Sequence, residues 1–358
     1  MRQNMEPDCN ATQKKPMSTV SSLGYHMPAE WHPHTCCFMG WPCRLKTWGE
    51  GMAAAKVAYA KVAKAIRKFE PVVMVARPED AKAARSKCGK QIEVLEISID
   101  DSWSRDSGPT FVINHKSNIA GIDWEFNQWG ADYPDIEDDA DFAKRLLDHY
   151  GIHCFAAPFV LEGGSIHVDG DGTLLTTEQC LLNPNRNPDM GQEEIELLLK
   201  EHLGIHHVIW LGDGLLDDET DGHVDNIACF VKPGVVLALT TDDPQDENYE
   251  PLRDNLDRLR TEQDARGRNL EVITIEQPEP EWRDDTRLAM SYINFYLPNG
   301  GVVMPSFDDP VRDDAARATI EQVFPDRKVV QIPAMDIVFG GGGIHCITQQ
   351  QPEPEERG

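Results

Sequence analysis

One cysteine near the C-terminal end of the chain, Cys346, follows a run of four glycines, Gly340 to Gly343. Ordering such a run costs much backbone entropy, so a folded protein keeps it where backbone approaches another group closely or takes up positive φ. The alternating pattern from Ile344 to Gln350 predicts a short strand with Cys346 at its start. A free cysteine is most often a small buried apolar residue. Beside this glycine run, we interpret Cys346 as a candidate nucleophile.

Three earlier loops carry polar residues that an ordinary surface role explains poorly. Asp106 follows Arg105 between two strand-like runs, and Glu162 precedes a pair of glycines. His223 and Asp225 stand two apart in a predicted strand, which places them on one face. Each residue alone also fits a structural role: Asp106 as a turn cap, His223 as a hydrogen-bonded core histidine, and Glu162 as a partner for Arg105.

Taken together, these residues form a coherent site for guanidine chemistry. Cys346 is the candidate nucleophile, His223 the general acid and base, and Asp106 and Asp225 are two carboxylates that can grip a planar cation. A guanidinium offers two forks of donors around an electrophilic carbon. A zinc site is a poorer interpretation, because no cysteine and histidine spacing resembles a structural metal pattern. Cysteine amidase or peptidase chemistry stays open, although it needs no paired acids.

Composition narrows the class of protein. The 358 residues carry a formal charge of -27, which argues against nucleic acid because phosphate binding needs clustered Lys and Arg. The acidity either attracts small cations or only maintains solubility. No apolar run is long enough to cross a bilayer. Nine cysteines without Cys-x-x-Cys pairs suit a reducing compartment, so we expect a cytoplasmic protein with neither metal nor cofactor.

The elements that must position the site recur in one order: helix, strand, loop and hairpin, about five times. We predict helices at about 51–69, 79–87, 139–150, 192–203, 249–263 and 311–323. We predict strands at about 35–41, 72–76, 92–97, 110–114, 153–159, 165–168, 173–177, 207–211, 223–231, 235–239, 271–275, 288–295, 301–304 and 328–332.

Repeats of this size generally stack around an axis or along a line. The last repeat lacks a second strand, which the N-terminal strand at 35–41 can supply, closing a ring. We therefore predict an α/β fold of five pseudo-symmetric units, a closed propeller in a single domain over 25–350. A disordered tail over 1–24 and an acidic tail over 351–358 flank it. The alternative, a doubly wound sheet, would need parallel strands in place of the hairpins.

Five segments of this chain resemble the guanidine-modifying pentein superfamily, and within it the agmatine deiminase family. They are Tyr25 to Trp31, Trp103 to Pro109, Glu162 to His167, Glu219 to Asn226 and Gly340 to Gln350. These segments span nearly the whole chain after the tail. Their combination is specific to the family, whereas a lone His-x-Asp motif or a lone glycine run would not be specific. His32, after the first segment, departs from the family pattern, at a position where only scaffold or subunit contact is at stake.

The resemblance implies a five-unit α/β propeller, the pentein fold, that hydrolyses agmatine to N-carbamoylputrescine and ammonia as a step of putrescine biosynthesis from arginine. By this resemblance Cys346 forms an amidino-cysteine (thiouronium) intermediate, and His223 protonates departing ammonia and then activates water. It implies that Asp106 and Asp225 hold the guanidinium, and it implies a homodimer. The predicted substrate contacts are Trp103, Glu219 (towards the distal amine), Arg105, Glu162, Gly343 and Ile344.

Rival hypotheses share the cysteine chemistry or lack chemistry altogether. The enzyme could hydrolyse arginine or a methylated arginine, or could pass the amidino group to an amine instead of water. A polyamine-binding scaffold would bind agmatine without releasing ammonia. One step also stays open: nearby acids raise the pKa of a thiol. We hypothesise that the bound cation offsets them, so that substrate assists thiolate formation.

Overall fold

The computed structural model describes residues 19–131 and 136–354, which form a mixed α/β fold. Its strands are β1 (Tyr25–His26), β2 (His34–Gly40), β3 (Val72–Ala76), β4 (Glu93–Glu96), β5 (Thr110–Asn114), β6 (Asn118–Glu125), β7 (His153–Val160), β8 (His167–Val168), β9 (Thr173–Thr177), β10 (His207–Leu211), β11 (Ala228–Lys232), β12 (Val235–Thr240), β13 (Glu271–Glu276), β14 (Trp282–Arg283), β15 (Thr286–Arg287), β16 (Gly301–Ser306), β17 (Lys328–Pro333) and β18 (Gln349–Pro352).

The helices lie mostly between these strands. They are α1 (Leu45–Trp48), α2 (Met52–Ile66), α3 (Ala81–Cys88), α4 (Ser104–Ser107), α5 (Glu137–Ala140), α6 (Phe142–Tyr150), α7 (Glu178–Leu181), α8 (Gln192–Leu203), α9 (Tyr249–Thr261), α10 (Pro310–Val323) and α11 (Met335–Val338). Short 3-10 turns occur at Ser21–Leu23, Gly49–Gly51, Gly163–Ser165 and Val224–Asn226. None of the described helices has the length and apolar character that a bilayer crossing needs.

Local sequence explains why the longer elements form. α2 is rich in alanine, a strong helix former, and buries Ala55, Ala58, Val62 and Ile66 along one face. α10 begins where the Asp309 side chain accepts hydrogen bonds from two backbone N–H groups of the first turn, with proline in the first helical position. β3 is buried along its whole length, as its unbroken apolar sequence predicts.

The sheets share one connection pattern. In β5-β6-β7, β8-β9-β10 and β11-β12-β13, an antiparallel pair is followed by a parallel strand. β16 pairs in parallel with β17, and Val303 in β16 also forms an antiparallel bridge with Tyr296. β14 and β15 form a separate small hairpin. The hairpins that distinguish this fold from a doubly wound sheet are therefore present.

The two ends of the chain meet in one sheet. β18 pairs antiparallel with β2, joining Gln349 to Phe38, and β2 continues in parallel to β3 and β4. The prediction that the N-terminal strand supplies the partner missing from the last repeat is thus confirmed.

Several local predictions were wrong. Cys346 lies in a turn before β18 and not in a strand. No strand forms over 288–295, although Tyr296, just beyond this range, forms an isolated bridge with Val303. His223 and Asp225 do not share a strand face, because they lie at and within the 3-10 turn that precedes β11. β6 was not predicted at all.

The tail boundaries also shift. Of the predicted N-terminal tail, 1–18 lie outside the described residues, but Ser21–Leu23 forms a 3-10 turn. At the other end, β18 runs to Pro352, two residues into the predicted acidic tail, whose residues 355–358 are outside the described part.

Candidate active site

The candidate site is built from loops that precede strands of four different sheets. Asp106 lies in α4 just before β5, and Glu162 precedes the turn that leads to β8. His223 and Asp225 precede β11, and Cys346 precedes β18. The backbone N–H of Arg105 donates to the carbonyl of Cys346 at 3.1 Å, which ties two of these loops together. All four predicted catalytic residues are therefore brought into one buried region.

The thiol of Cys346 is buried among polar groups. Its Sγ lies 3.7 Å from Oδ2 of Asp225 and 3.3 Å from Nδ2 of Asn294, which can donate to it. Burial, followed by the charges of Asp225 and Asp106, raises the pKa of the Cys346 thiol well above its ordinary value, against the N–H groups of Gly343 and Asn294, which lower it. The surroundings of the thiol in the free site therefore favour its protonated form.

Asp106 is held on both of its oxygens. The indole N–H of Trp129 donates to Oδ2 at 3.0 Å, and the backbone N–H of Gly164 donates to Oδ1 at 2.9 Å. Burial raises the pKa of Asp106 above its ordinary value, although the neighbouring His223 opposes this effect. These two donors fix the plane of the carboxylate and leave it facing the histidine and the thiol loop.

His223 lies between two acids. Its Nδ1 is 3.8 Å from Oδ1 of Asp106, and its Nε2 is 3.8 Å from Oε2 of Glu162. Burial would lower the pKa of His223, but Asp106, Cys180 and Glu162 raise it well above the ordinary value. Neither ring nitrogen has a hydrogen-bond partner among the described groups. A fully buried, charged imidazole without a fixed partner is suited to donate its proton.

Glu162 is paired with Arg186. The sequence had left open a pairing with Arg105, which the structure does not show. Nε of Arg186 donates to Oε1 of Glu162 at 2.6 Å, and its other nitrogens bind Asp221 and backbone carbonyls. Burial would raise the pKa of Glu162, but His223 and Arg186 hold it below its ordinary value. Glu162 is thus an ionised acid behind the histidine.

Three side chains lie close enough to one another to hold a metal ion, if only the distances between their ligand atoms are considered. Within the described part of the chain, ligand atoms of Glu162, Cys180 and His223 all lie within 4.8 Å of one another. The guanidinium of Arg186 already lies against the Glu162 carboxylate. A divalent ion would therefore meet a fixed positive charge, and the arrangement suits a hydrogen-bonded cluster better.

The glycines allow these side chains to approach each other. A Cβ on Gly164 would lie 2.5 Å from Nδ1 of His223 and 3.0 Å from Oδ1 of Asp106. In the glycine run, a Cβ on Gly343 would lie 2.2 Å from Oδ1 of Asn294. Distances below 3.0 Å are not tolerated between a real Cβ and a fixed neighbour, so close approach explains these glycines.

A narrow cavity of about 30 Å³ reaches the thiol and is lined by Trp103, Trp129, Asp106, Glu219 and Cys346, with the glycine run. Although Glu219 is exposed, partial burial of its carboxylate raises its pKa above the ordinary value.

This cavity adjoins a recess of about 440 Å³ that shares Trp103, Trp129 and Glu219 with it and adds the basic residues Arg44, Lys46 and Arg283. Of the predicted substrate contacts, Trp103 and Glu219 therefore line the cavity.

The other predicted substrate contacts lie behind it. Arg105 donates to the carbonyl of His345 at 3.3 Å and to Gln350 at 2.8 Å, and Ile344 is fully buried in the apolar core. Glu162 lies beyond His223, and Gly343 directs its N–H towards the thiol. Their geometry favours supporting the catalytic residues over direct contact with substrate.

Several polar residues of the site have no signal in the sequence. Asn294 falls in a segment that we predict as a strand, and Trp129 and Arg186 lie outside every segment that carries the resemblance. His345 stands inside the glycine segment but was assigned no role. Spacing cannot find such residues, because each acts across long separations along the chain.

Comparisons with known proteins identify the family of this chain. Residues 26–352 match the Porphyromonas-type peptidyl-arginine deiminase family. The chain is 48% identical over 362 residues to an agmatine deiminase from Ectopseudomonas mendocina, covering 94% of this chain and 98% of that protein.

Two solved structures are similar as well. An agmatine deiminase of Enterococcus faecalis, described as catalysing its reaction, has a TM-score of 0.91 and 38% identity, covering 94% of this chain and 98% of that one. A C. jejuni agmatine deiminase with a Cys-to-Ser substitution and substrate bound has a TM-score of 0.85 and 25% identity, with 93% and 97% covered.

Proposed function

This chain belongs to the Porphyromonas-type peptidyl-arginine deiminase family, and from that premise and its similarity to agmatine deiminases we propose that it hydrolyses agmatine to N-carbamoylputrescine and ammonia. One observation carries the proposal: the thiol of Cys346 and the carboxylate of Asp106 line one narrow cavity, and directly behind them lie the carboxylate of Asp225, 3.7 Å from the thiol, and the imidazole of His223, 3.8 Å from Asp106. Two carboxylates match the two donor forks of a guanidinium and hold its carbon for attack by sulfur.

Binding of substrate supplies the first step. The free thiol has a raised pKa because it is buried beside two acids. A guanidinium between Asp106 and Asp225 offsets those charges, so the thiol loses its proton to solvent as the cation binds. The Cys346 thiolate then forms a C–S bond to the guanidinium carbon, and one C=N electron pair moves onto nitrogen to give a neutral tetrahedral adduct.

Ammonia leaves in the second step. The imidazolium of His223 gives its proton to one amino group, the C–N bond breaks, and ammonia departs. The remaining carbon is a thiouronium cation joined to Cys346, and His223 is neutral. Ammonia takes up the proton that the thiol lost earlier, so charge is conserved over the two steps.

Water completes the reaction. Neutral His223 accepts a proton from water as its oxygen bonds to the thiouronium carbon. Collapse of this second adduct breaks the C–S bond and returns the thiolate, and loss of one further proton leaves the ureido group of the product. Glu162 behind the ring stabilises the imidazolium each time it forms.

The distal amine of agmatine suits the outer part of the cavity. Glu219 lies there, and Asp218 next to it also raises the pKa of the Glu219 carboxyl, while Arg283 lowers it. An ammonium group beside Glu219 would favour its ionised form and balance the carboxylate. The cavity passes between Trp103 and Trp129 and has the carboxylates of Asp106 and Glu219 in its lining. This arrangement fits a slender substrate with one cation at each end.

A second candidate is a guanidine that carries a carboxylate or a peptide link. The recess outside the cavity contains Arg44, Lys46 and Arg283. Basic groups there would suit the carboxylate of arginine. Glu219 at the junction favours the amine, and for that reason agmatine stays the first proposal.

The test is parallel turnover of agmatine and arginine, with ammonia and the ureido product measured together. We expect agmatine alone to be hydrolysed, and Cys346→Ala to abolish turnover while agmatine still binds. Mass spectrometry of acid-quenched wild-type enzyme should show the amidino adduct on Cys346.

Each other outcome points elsewhere. Turnover of arginine would keep the chemistry and overturn the substrate. A rate that rises with an added amine acceptor would indicate amidino transfer. Saturable binding of agmatine without ammonia release would indicate a binding protein.

Three broader properties complete the proposal. The shared sheet pattern and the pairing of β18 with β2 support a closed ring of five units. We also propose a cytoplasmic homodimer and a place in putrescine biosynthesis from arginine. Light scattering of the purified protein would test the dimer, and loss of putrescine on deletion of the gene would test the pathway.

A further inference from the structure

Three buried side chains from distant parts of the sequence form a continuous hydrogen-bonded chain behind the thiol. Nδ1 of His345 lies 2.8 Å from Oδ2 of Asp225, and Nε2 of the same ring lies 3.0 Å from Oε2 of Glu30. Each side chain is at most 6% exposed. One imidazole therefore bridges two carboxylates, one of them from the N-terminal segment.

A ring bonded to a carboxylate on each nitrogen carries both protons. Carboxylates only accept, so each ring nitrogen must donate, and this requires the imidazolium. Burial and Arg105 would lower the pKa of His345, but Glu30 and the two hydrogen bonds raise it above its ordinary value. The same contacts outweigh burial at Asp225 and Glu30 and hold the pKa of both below the ordinary value.

The surrounding charges balance. The titratable or charged groups that face the His345 ring from neighbouring elements are Asp225, Glu30, Arg105, His167 and Cys346. Nδ1 of His167 accepts the backbone N–H of Phe230, and burial lowers the pKa of His167 to about 4, so this second histidine is neutral. Two anions and two cations remain, which makes a charged His345 compatible with burial.

The bridge determines how Asp225 meets substrate. Its Oδ2 is occupied by His345, whereas its Oδ1 is buried and has no partner among the described groups. The carboxylate is therefore anchored by one oxygen and offers the other. We propose that Glu30 and His345 are positioning residues that keep Asp225 ionised and oriented for the guanidinium, an inference that rests on the proposed function.

Glu30→Gln tests this positioning role with little change in the shape of the side chain. The amide oxygen can still accept from the backbone N–H of Leu297, as Oε1 of Glu30 does at 2.9 Å. The amide N–H₂ would face Nε2 of His345 and donate to it, which favours a neutral ring. His345 would then keep its hydrogen bond to Asp225 but lose its charge as pH rises.

The expected result is a defect that depends on pH. Near pH 6 the variant should resemble wild type, because His345 is still protonated. Above neutral pH its kcat/KM should fall by about 10-fold to 100-fold, the scale of a charge-assisted hydrogen bond, while wild type shows no such limb. The loss should appear mainly in KM, since Asp225 binds the guanidinium before reaction.

Glu70→Gln is the matched control. Glu70 is also buried against a histidine, with Nδ1 of His34 at 3.2 Å, and it does not line the cavity. Glu70→Gln should lose about as much stability as Glu30→Gln, but its kcat/KM should not fall above neutral pH relative to wild type. An equal loss of kcat/KM at every pH in Glu30→Gln, or no loss, would overturn the proposal.

A second measurement does not depend on turnover. In ¹⁵N-histidine NMR, with the signal assigned by its absence in His345→Gln, His345 should be charged at pH 7 in wild type, because its pKa is raised by Glu30 and by its two hydrogen bonds. In Glu30→Gln it should lose its charge at a lower pH than in wild type. A neutral His345 in wild type at pH 7 would overturn the proposed positioning role even if agmatine is hydrolysed. If wild type hydrolyses nothing, this spectrum still decides the charge of the bridge.

Discussion

The side-chain amide of Asn294 lies directly against the thiol of Cys346, with Nδ2 3.3 Å from Sγ. Its Oδ1 accepts the backbone N–H of His345 at 2.9 Å, and Nδ2 also contacts Oδ1 of Asn226 at 3.0 Å. These contacts fix the amide so that a donor faces sulfur. A neutral donor in that position stabilises the thiolate without adding a proton that could leave.

Replacing Asn294 with aspartate should therefore slow the reaction sharply. The substitution exchanges a donor for a negative charge beside sulfur, so the thiol pKa rises further and kcat falls by about 10²-fold or more. Steady-state kinetics on agmatine measure this. Asn299→Asp serves as a control at an asparagine that bonds the backbone of His34 away from the thiol, and an equal loss there would contradict the role of Asn294.

The thiol itself should titrate above the ordinary cysteine range in the free protein. Because the folded pKa of Cys346 is raised, its thiolate fraction should be small at pH 7 and grow as pH rises. The rate of iodoacetamide labelling against pH, followed by mass spectrometry, measures it, and the same labelling of Cys346→Ser subtracts the other cysteines. A non-reacting guanidine should shift the profile to lower pH, and a low value without ligand would contradict substrate assistance.

Gly164→Ala should disable the site through steric overlap. Its added methyl would lie 2.5 Å from Nδ1 of His223, between the histidine and both carboxylates. We expect overpacking of about 1–3 kcal/mol in the free energy of unfolding and a loss of most activity. Gly51→Ala is the control, since a Cβ added at Gly51 would meet no neighbouring atom within 4 Å. Full activity in Gly164→Ala would show that the loop moves away at no cost.

Glu219→Gln should weaken substrate binding and leave the chemistry intact. The carboxylate lines the cavity at a distance from the reacting carbon, so KM for agmatine should rise about 10-fold with kcat nearly unchanged. A guanidine that lacks the distal amine should bind wild type and variant equally. If KM for agmatine is unaffected, the distal pocket lies elsewhere in the recess.

Arg186→Ala should destabilise the protein strongly. The side chain is buried, and its loss removes the guanidinium that is hydrogen-bonded to the buried Glu162 carboxylate and leaves His223 as the nearby cation; breaking a buried pair costs about 3–5 kcal/mol. The variant should lose stability most at neutral and alkaline pH, where Glu162 must be ionised, and recover part of it as acid protonates the carboxyl.

Denaturant unfolding at pH 5 and pH 8 measures this effect. Arg317→Ala, which breaks an exposed pair with Glu321, should cost only about 0.3–0.5 kcal/mol. A similar small cost for Arg186→Ala would mean that water reaches Glu162.

The sequence by itself determined the candidate catalytic residues and much of the architecture. Cys346, His223, Asp106 and Asp225 stand in short local segments, and their residue types limit what they can do. Most helices and strands were predicted from apolar periodicity, because burial of one face is a local property of the chain. Backbone detail was less predictable: the turn at Cys346 overrides an alternating pattern that favours a strand.

Only the tertiary structure decided which groups support those four residues. The contact between Glu30 and His345 spans 315 positions, and that between Asn294 and Cys346 spans 52. Arg186 reaches Glu162 across 24 positions. Hydrogen bonds depend on distance and angle in space and leave no periodic trace in a chain. The choice of candidate catalytic residues was therefore local information, whereas their surroundings and orientation follow from the fold.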